Sequence, residues 1–163
     1  MSRVKELRLS SRSVRLTGVK SMLIETDQAL AALFRRVKTI ALIGASHKPE
    51  RPSYQVLDFL LREGYDVIPV NPGLAGQMLQ GQRVVAALSD IEHTIDMVDV
   101  FRDGSALPGV LSEILSIGAP ALWTQLAVRH PETEQAAIEH GLDLVVDKCP
   151  AQEVPRLRAQ GLI

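Results

Sequence analysis

The sequence predicts a single α/β domain with a Rossmann-like, doubly wound, mostly parallel sheet and helices on both faces. Short apolar runs alternate with amphipathic stretches, which is the pattern of strands joined by crossover helices. Several of the apolar runs are nearly continuous, as in strands that are buried on both faces. The chain has 163 residues, 46% of them hydrophobic, which is enough for one core and short for two.

The first βαβ unit is the clearest part of this pattern, and one helix precedes it. The apolar residues of the two helices recur at helical spacing, and the two strands are short apolar runs. The predicted elements are, in order, a helix capped by Thr26 or Asp27, strand Thr39–Ile43, a helix capped by Ser53 and ended by Gly64, and strand Asp66–Val70.

The second half of the chain repeats the pattern less regularly. The predicted elements are a short strand Arg83–Ala87, a helical turn Ser89–Glu92, strand Met97–Phe101, a helix ended by Gly118, strand Pro120–Thr124, a helix from Pro131 to Gly141, and strand Leu142–Val146. Ligands of such sheets bind outside the carboxyl ends of the strands. The residues that directly follow each strand are therefore the candidate site residues.

Composition narrows the possible partners. The net charge of −1 gives no general reason to expect nucleic acid or an acidic membrane surface as a partner. No apolar run is long enough for a membrane helix, so we expect a soluble, cytoplasmic protein. A single cysteine excludes an internal disulfide, and the four histidines show no metal-ligand spacing. We therefore expect no metal.

The first 21 residues differ from the rest of the chain. Residues 1–20 are rich in arginine, lysine and serine and contain one acid, Glu6. We expect residues 1–21 to be a disordered basic extension, or codons upstream of a start at Met22. A functional basic arm or a transit-like leader is the alternative. The domain is then predicted over residues 22–163.

A polar loop follows the first strand of the βαβ unit. Gly44 permits a tight turn, and Ser46 and backbone N–H groups can donate to phosphate oxygens. The next helix offers its positive N-terminal end. Lys48 and Arg51 add positive charge. The loop alone is a weak signal, since a glycine and a polar turn follow many buried strands.

The known nucleotide fingerprints are missing from this loop. Gly44 is the one position that matches the dinucleotide pattern G-x-G-x-x-G, and no Walker string is present. The second strand ends in VNP at 70–72, with neither a carboxylate for the ribose of NAD nor an arginine for NADP. Ser46, His47 and Asp99 are the residue types of a Ser-His-Asp catalytic triad, but nothing in the sequence fixes their geometry.

Later strand ends add further candidates. Arg102 follows one strand, and Trp123 and Gln125 end the next. A tryptophan at such a position is more often a core residue than a ligand stacker, and its indole N–H then needs a partner. Cys149 is interpreted as a small buried apolar residue, with a reactive thiol favoured by Lys148 as the alternative.

Four strings carry a resemblance to a known family: GASHKPERPSYQVLDFLLREGYDVIPVNP, VDVFR, GAPALWTQLAV and GLDLVVDKCPAQEVPRL. As an ordered set over residues 37–157, they resemble the small stand-alone CoA-binding proteins, which share the fold of the N-terminal CoA-binding domain of the succinyl-CoA synthetase α subunit. The resemblance implies that coenzyme A or acyl-CoA is bound. It implies as binding residues Gly44, Ala45, Ser46, Lys48, Arg51, Pro52 and Ser53 near the phosphates, Val70, Asn71 and Pro72 at the adenine or ribose, and Phe101, Arg102, Trp123 and Gln125 along the rest of the cleft.

The resemblance does not extend to acyl-CoA synthesis. The synthetase needs a further ligase domain with a phosphorylated histidine, whereas this sequence ends soon after the last predicted strand. We therefore expect CoA binding without catalysis. The alternatives are a small NAD(P)-dependent oxidoreductase and a non-catalytic subunit of a synthetase-like assembly, with a homo-oligomer or a synthetase-like subunit as protein partners. A mixed disulfide between Cys149 and the CoA thiol is a further hypothesis.

Overall fold

The computed structural model describes residues 13–16 and 19–163 of the protein. Its strands are β1 (Ser13–Leu16), β2 (Val19–Leu23), β3 (Thr39–Ile43), β4 (Asp66–Val70), β5 (Met78–Leu79), β6 (Gln82–Arg83), β7 (Met97–Val100), β8 (Ala121–Thr124) and β9 (Asp143–Val145). Its helices are α1 (Asp27–Arg36), α2 (Pro52–Arg62), α3 (Leu107–Ile117), α4 (Pro131–Glu139) and α5 (Pro150–Ala159).

A seven-stranded sheet forms the centre of the molecule, in the order β1-β2-β9-β8-β7-β3-β4. Six of these strands, β2, β9, β8, β7, β3 and β4, are parallel to one another. The edge strand β1 pairs antiparallel with β2. After β3 the chain moves outward to β4 and then returns to the other side of β3 as β7. The winding direction therefore changes between β3 and β7, where open α/β sheets form their ligand crevice.

Side chains of β3 alternate between the two faces of the sheet, and the helices cover both faces. Ile40 and Leu42 join one core cluster, whereas Ala41 and Ile43 join the other. The first cluster contains buried residues of α1, α2 and α5, and the second contains those of α3 and α4. The predicted doubly wound fold is confirmed.

The helix boundaries confirm one predicted cap and correct another. Thr26 Oγ1 accepts a hydrogen bond from the N–H of Ala29 at 3.1 Å, so Thr26 caps α1. The cap of α2 is Arg51 and not Ser53, because Pro52 occupies the first helical position. Proline suits that position, since its φ is already helical and no backbone N–H is needed there.

The predicted strand Arg83–Ala87 does not form. The chain turns at Gln80 and Gly81, both with positive φ, and β5 and β6 pair as a separate two-stranded hairpin. A two-residue turn of this kind suits a hairpin. Of the predicted strand, Val85 forms an isolated bridge to Val70 of β4.

Helix α5 was not predicted from the sequence. Two prolines, Pro150 and Pro155, lie within ten residues and obscure the apolar pattern of Val154 and Leu157. Pro150 begins the helix, where a missing N–H costs nothing. Both apolar residues are buried in the cluster that contains α1 and α2.

The N-terminal segment differs in part from expectation. Residues 13–16 and 19–21 belong to β1 and β2, and β2 pairs with β9 through Met22 and Leu23. The sheet therefore begins before the predicted boundary at Met22. Residues 1–12 and 17–18 lie outside the described residues, so disorder there stays a prediction. No described helix is long and apolar enough to cross a membrane.

Asp99 of β7 is a fully buried acid. It lies between Leu42 of β3 and Trp123 of β8, and none of its surface is exposed. Neither carboxyl oxygen has a hydrogen-bond partner among the described residues. Burial raises the pKa of Asp99 well above its ordinary value of 3.8, because the charged form loses its hydration.

We expect Asp99 to make the protein less stable as pH rises. Above the ordinary pKa of 3.8 the unfolded carboxyl ionises while the buried one keeps its proton. The free energy of unfolding then falls by about 1.4 kcal/mol per pH unit until the raised pKa is reached. Urea unfolding of the protein and of Asp99→Asn, at several pH values above 3.8, checks this. The substitution should remove this part of the pH dependence.

The control for Asp99 is Asp58→Asn, which changes a carboxylate on the surface of α2 with 48% of its side chain exposed. This control should keep the pH dependence of the unsubstituted protein. If Asp99→Asn shows the same dependence as well, Asp99 does not titrate differently in the folded and unfolded states.

Candidate functional site

Two cavities lie side by side at the carboxyl edge of the sheet. Cavity I has a volume of about 630 Å³ and is lined by the segments that follow β3, β7, β8 and β9. Cavity II has a volume of about 600 Å³ and is lined by the segments that follow β3, β4 and β7, together with α3. Gly44 and Arg102 line both cavities, so the two spaces meet at the switch point between β3 and β7.

Gly44 allows the ends of β3 and β7 to come close together at the boundary of the two cavities. It has a φ of +90°, and its N–H donates to the Val70 carbonyl at 3.0 Å. A Cβ atom at this position would lie 2.3 Å from the carbonyl oxygen of Phe101. The ends of β3 and β7 therefore approach so closely that no side chain fits between them.

The start of helix α2 forms one wall of cavity I. Arg51, Pro52 and Ser53 line this wall, and the N–H of Ser53 donates no hydrogen bond within the described residues. Ser46 lines the same cavity, and its Oγ accepts a hydrogen bond from the N–H of Lys48 at 3.1 Å. A free N–H at the positive end of a helix favours a bound anion.

Asn71 connects the segments after β3 and β4. Its Nδ2 donates to the Ala45 carbonyl at 2.7 Å, and its Oδ1 accepts from the N–H of Gly73 at 2.8 Å. Asn71 and Pro72 line cavity II. Because both polar atoms of the Asn71 side chain are already engaged, this residue shapes the cavity wall.

The arginines at the two cavities differ from the other arginines for which the structure gives side-chain contacts. Arg51 and Arg102 make no ion pair and no side-chain hydrogen bond within the described residues. By contrast, carboxylates pair with Arg36, Arg62, Arg129, Arg156 and Arg158. No acidic residue of the described chain lines cavity I, and Glu113 lines cavity II. Cavity I and its boundary with cavity II therefore carry uncompensated positive charge.

The acid next to Arg102 is committed to another contact. Asp103 accepts hydrogen bonds from the Oγ of Ser105 at 2.6 Å and from the N–H of Ser105 at 3.0 Å. These bonds lower the pKa of Asp103, because they favour the charged carboxylate. Asp103 thus begins the turn before α3 and leaves the guanidinium of Arg102 available.

Most residues of the predicted site lie at the two cavities. Gly44 and Arg102 line both. Six others line cavity I, namely Ser46, Arg51, Pro52, Ser53, Phe101 and Gln125. Three line cavity II, namely Val70, Asn71 and Pro72. Ala45, Lys48 and Trp123 line neither cavity, since Ala45 and Trp123 are buried in the core and Lys48 is exposed on the loop.

Trp123 is a core residue rather than part of the cleft. None of its surface is exposed, and its ring packs against that of Phe34 with the centroids 5.3 Å apart. Its Nε1 donates to the Lys148 carbonyl at 2.7 Å. The expectation that Trp123 lines the cleft is therefore corrected. This contact instead fixes the chain just before α5.

Sequence reasoning missed one wall of cavity I. This wall consists of Leu126 and Val128 after β8, and of Cys149, Ala151 and Gln152 at the start of α5. Pro150 was the available signal, because proline marks the first position of a helix. Without that helix, the segment after β9 had no predicted direction.

Ser46, His47 and Asp99 do not form a catalytic triad. The carboxylate of Asp99 accepts no hydrogen bond in the described structure, and no histidine of the described residues lines either cavity. Within the same residues, no group of three or more His, Cys, Asp or Glu side chains is placed to hold a metal ion.

Comparison with known proteins supports the resemblance found in the sequence. A family model described as a CoA binding domain matches residues 38–155. The uncharacterized protein YneT of Bacillus subtilis is 37% identical over 117 residues, which cover 72% of this chain and 85% of YneT.

Solved structures show the same fold. The cell-free ID.343 protein of Thermus thermophilus is 42% identical with a TM-score of 0.79, and the match covers 82% of this chain and 99% of that one. The dinucleotide forming acetyl-coenzyme A synthetase 1 of Ca. Korarchaeum cryptofilum is 22% identical with a TM-score of 0.57. That match covers 69% of this chain and 27% of the synthetase, and it concerns the fold alone.

We expect Gly44→Ala to destabilise the protein more than Gly64→Ala. Both glycines have a positive φ, which costs an alanine about 1–2 kcal/mol. A Cβ atom at Gly64 meets no atom within 4 Å, whereas one at Gly44 meets the Phe101 carbonyl. This clash should lower the free energy of unfolding by about 1–3 kcal/mol more in Gly44→Ala, as measured by urea unfolding. Equal losses in the two variants would contradict the close approach of β3 and β7.

Proposed function

The chain belongs to the CoA-binding domain family, and we propose that it binds coenzyme A or acyl-CoA through the 3′-phospho-ADP moiety, without catalysis of its own. The observation that carries this proposal is the pair of arginines, Arg51 and Arg102, that face the cavities without a carboxylate partner. A phosphate group can accept several charge-assisted hydrogen bonds from each guanidinium. The two arginines therefore favour a ligand that carries several phosphate charges, as coenzyme A does.

The two cavities suggest how the cofactor lies. The adenosine occupies cavity II, bordered by Val70, Asn71 and Pro72. The diphosphate lies at the boundary of the cavities, near Arg102 and Gly44, which line both. The pantetheine arm then continues into cavity I. The strand order β4-β3-β7-β8-β9 places the two cavities in this sequence along the sheet edge, and the position of the adenosine is the one that the family resemblance implies.

Discrimination against NAD follows from the residues after β4. An enzyme that binds NAD places a carboxylate at this point, where it accepts hydrogen bonds from the ribose hydroxyls. Here the chain continues as Val70, Asn71 and Pro72, and the amide of Asn71 is engaged with Ala45 and Gly73. A ribose that carries a phosphate meets no negative charge from these residues.

We expect CoA to bind more tightly than dephospho-CoA, by about tenfold or more, because the 3′-phosphate accepts charge-assisted hydrogen bonds. Isothermal titration calorimetry with both ligands measures the difference. NADH and NADPH, titrated with nicotinamide fluorescence as the signal, serve as the comparison and should give no response. No binding heat at millimolar CoA would remove the proposal, and a fluorescence response with NADH would favour the oxidoreductase.

Arg102→Ala should weaken CoA binding by about tenfold or more, since it removes a charged donor from the boundary of the cavities. It should also reduce the salt dependence of the dissociation constant, because screening acts on the lost charge. The matched control is Arg62→Ala, at the end of α2, where the arginine pairs with Asp58 and lines neither cavity. Equal weakening in the two variants would show that overall charge, and not the cleft, determines affinity.

A further inference from the structure

Cys149 lies in the wall of cavity I on the side away from cavity II. It follows β9, occupies the N-cap position of α5 without a side-chain capping bond, and is 8% exposed. It is also the one cysteine of the chain. The path from the end of β4 to the end of β9 crosses four strand spacings, or roughly 19 Å at about 4.8 Å each. A ligand with its adenosine in cavity II therefore extends toward this thiol.

Gln125 gives an independent indication that a ligand occupies the same cavity. It lines cavity I, is 6% exposed, and its side-chain oxygen has no hydrogen-bond partner in the described residues. Buried polar atoms are nearly always satisfied, so an unpaired carboxamide in a cavity wall indicates a partner supplied by the ligand. The oxygen has almost no accessible surface, so the terminal amide must rotate by half a turn to present it to the cavity. An amide N–H of a pantetheine arm can then donate to it.

The surroundings of Cys149 suit the apolar end of such an arm. Val56, Leu126, Val128 and Ala151 contribute apolar surface to cavity I. The Leu126 segment is held by a hydrogen bond of 2.6 Å from the N–H of Ala127 to the Asp147 carboxylate, with Ala127 at a φ of +67°. A non-glycine residue in this conformation is held there by its surroundings. This part of the rim of cavity I is therefore held in one conformation.

We propose that Cys149 takes up CoA covalently, by thiol–disulfide exchange with a disulfide formed between CoA and a second small thiol. This inference rests on the proposed function, since the cleft must first bind the CoA part. The Cys149 sulfur, as thiolate, attacks the CoA sulfur of the incoming disulfide. The S–S bond of the incoming molecule breaks, a bond between Cys149 and CoA forms, and the second thiol leaves as its thiolate. The proton lost from Cys149 passes to solvent and can protonate the leaving thiolate.

The exchange needs no oxidant besides the incoming disulfide, because one S–S bond is replaced by another. The low exposure of Cys149 determines which disulfides react. A thiol that is 8% exposed is poorly accessible to a disulfide in bulk solution. A disulfide whose CoA part is held by Arg102 and the start of α2 is brought to the sulfur. The rate of adduct formation should therefore level off as the concentration of the CoA disulfide rises, because the disulfide must bind before it reacts.

The experiment incubates the full chain with CoA disulfide or with cystamine and follows the intact mass over time. We expect one CoA per chain, removed by dithiothreitol, and no CoA adduct on Cys149→Ser. Arg102→Ala should slow the reaction with CoA disulfide by about tenfold or more and leave the reaction with cystamine unchanged, since cystamine has no phosphates. Arg62→Ala, which lies outside the cavities, should slow neither reaction.

Calorimetry with reduced CoA in the presence of dithiothreitol separates this inference from the proposed function. If reduced CoA binds and CoA disulfide gives no adduct, the covalent step is wrong and the proposed function stands. If reduced CoA does not bind, both fail. An adduct that forms equally fast with cystamine and CoA disulfide, or equally fast in Arg102→Ala, would mean that Cys149 is simply an accessible thiol and would overturn the inference.

Discussion

The close approach of β3 and β7 at Gly44 determines the shape of the whole carboxyl edge. A Cβ atom at Gly44 would be 2.3 Å from the Phe101 carbonyl, so a side chain here would push the two strand ends apart. At a topological switch point the following helices diverge to opposite faces of the sheet, which leaves a crevice between them. Gly44 and Arg102 line both cavities, so cavities I and II meet in that crevice.

Cavity I depends in addition on two helices that begin on the same side. Helices α2 and α5 pack on one face of the sheet, and their first residues meet at this cavity. Trp123 in the core helps to fix the position of α5, because its indole N–H donates to the carbonyl of Lys148, just before that helix. A residue that lies wholly in the core thus positions the wall that contains Cys149. Core packing and the shape of the site are coupled through this one hydrogen bond.

The sequence predicted the architecture well because its signals are local. Thr39–Ile43 and Asp66–Val70 are strands with the predicted bounds, and Thr26 caps α1 as expected. The errors occur where the local pattern is ambiguous. The segment around Gly81 has strand-like composition but folds back as a hairpin, and the prolines of α5 hide a helix. Most of the candidate site was found because it follows strand ends. Its missing wall depends on the direction of α5, which no local pattern determines.

Several polar groups of the cleft have no partner among the described residues. Arg51 and Arg102 have no acid partner there, and the Gln125 oxygen accepts no hydrogen bond. Asp99 is also unsatisfied, but it is sealed in the core, where a ligand cannot reach it. The two kinds of unpaired group therefore have different consequences. A ligand that pairs with the cleft residues binds the folded state alone, so it stabilises the fold by an amount that grows with its concentration. The carboxyl of Asp99 contributes no such term, and its cost to stability is set by pH.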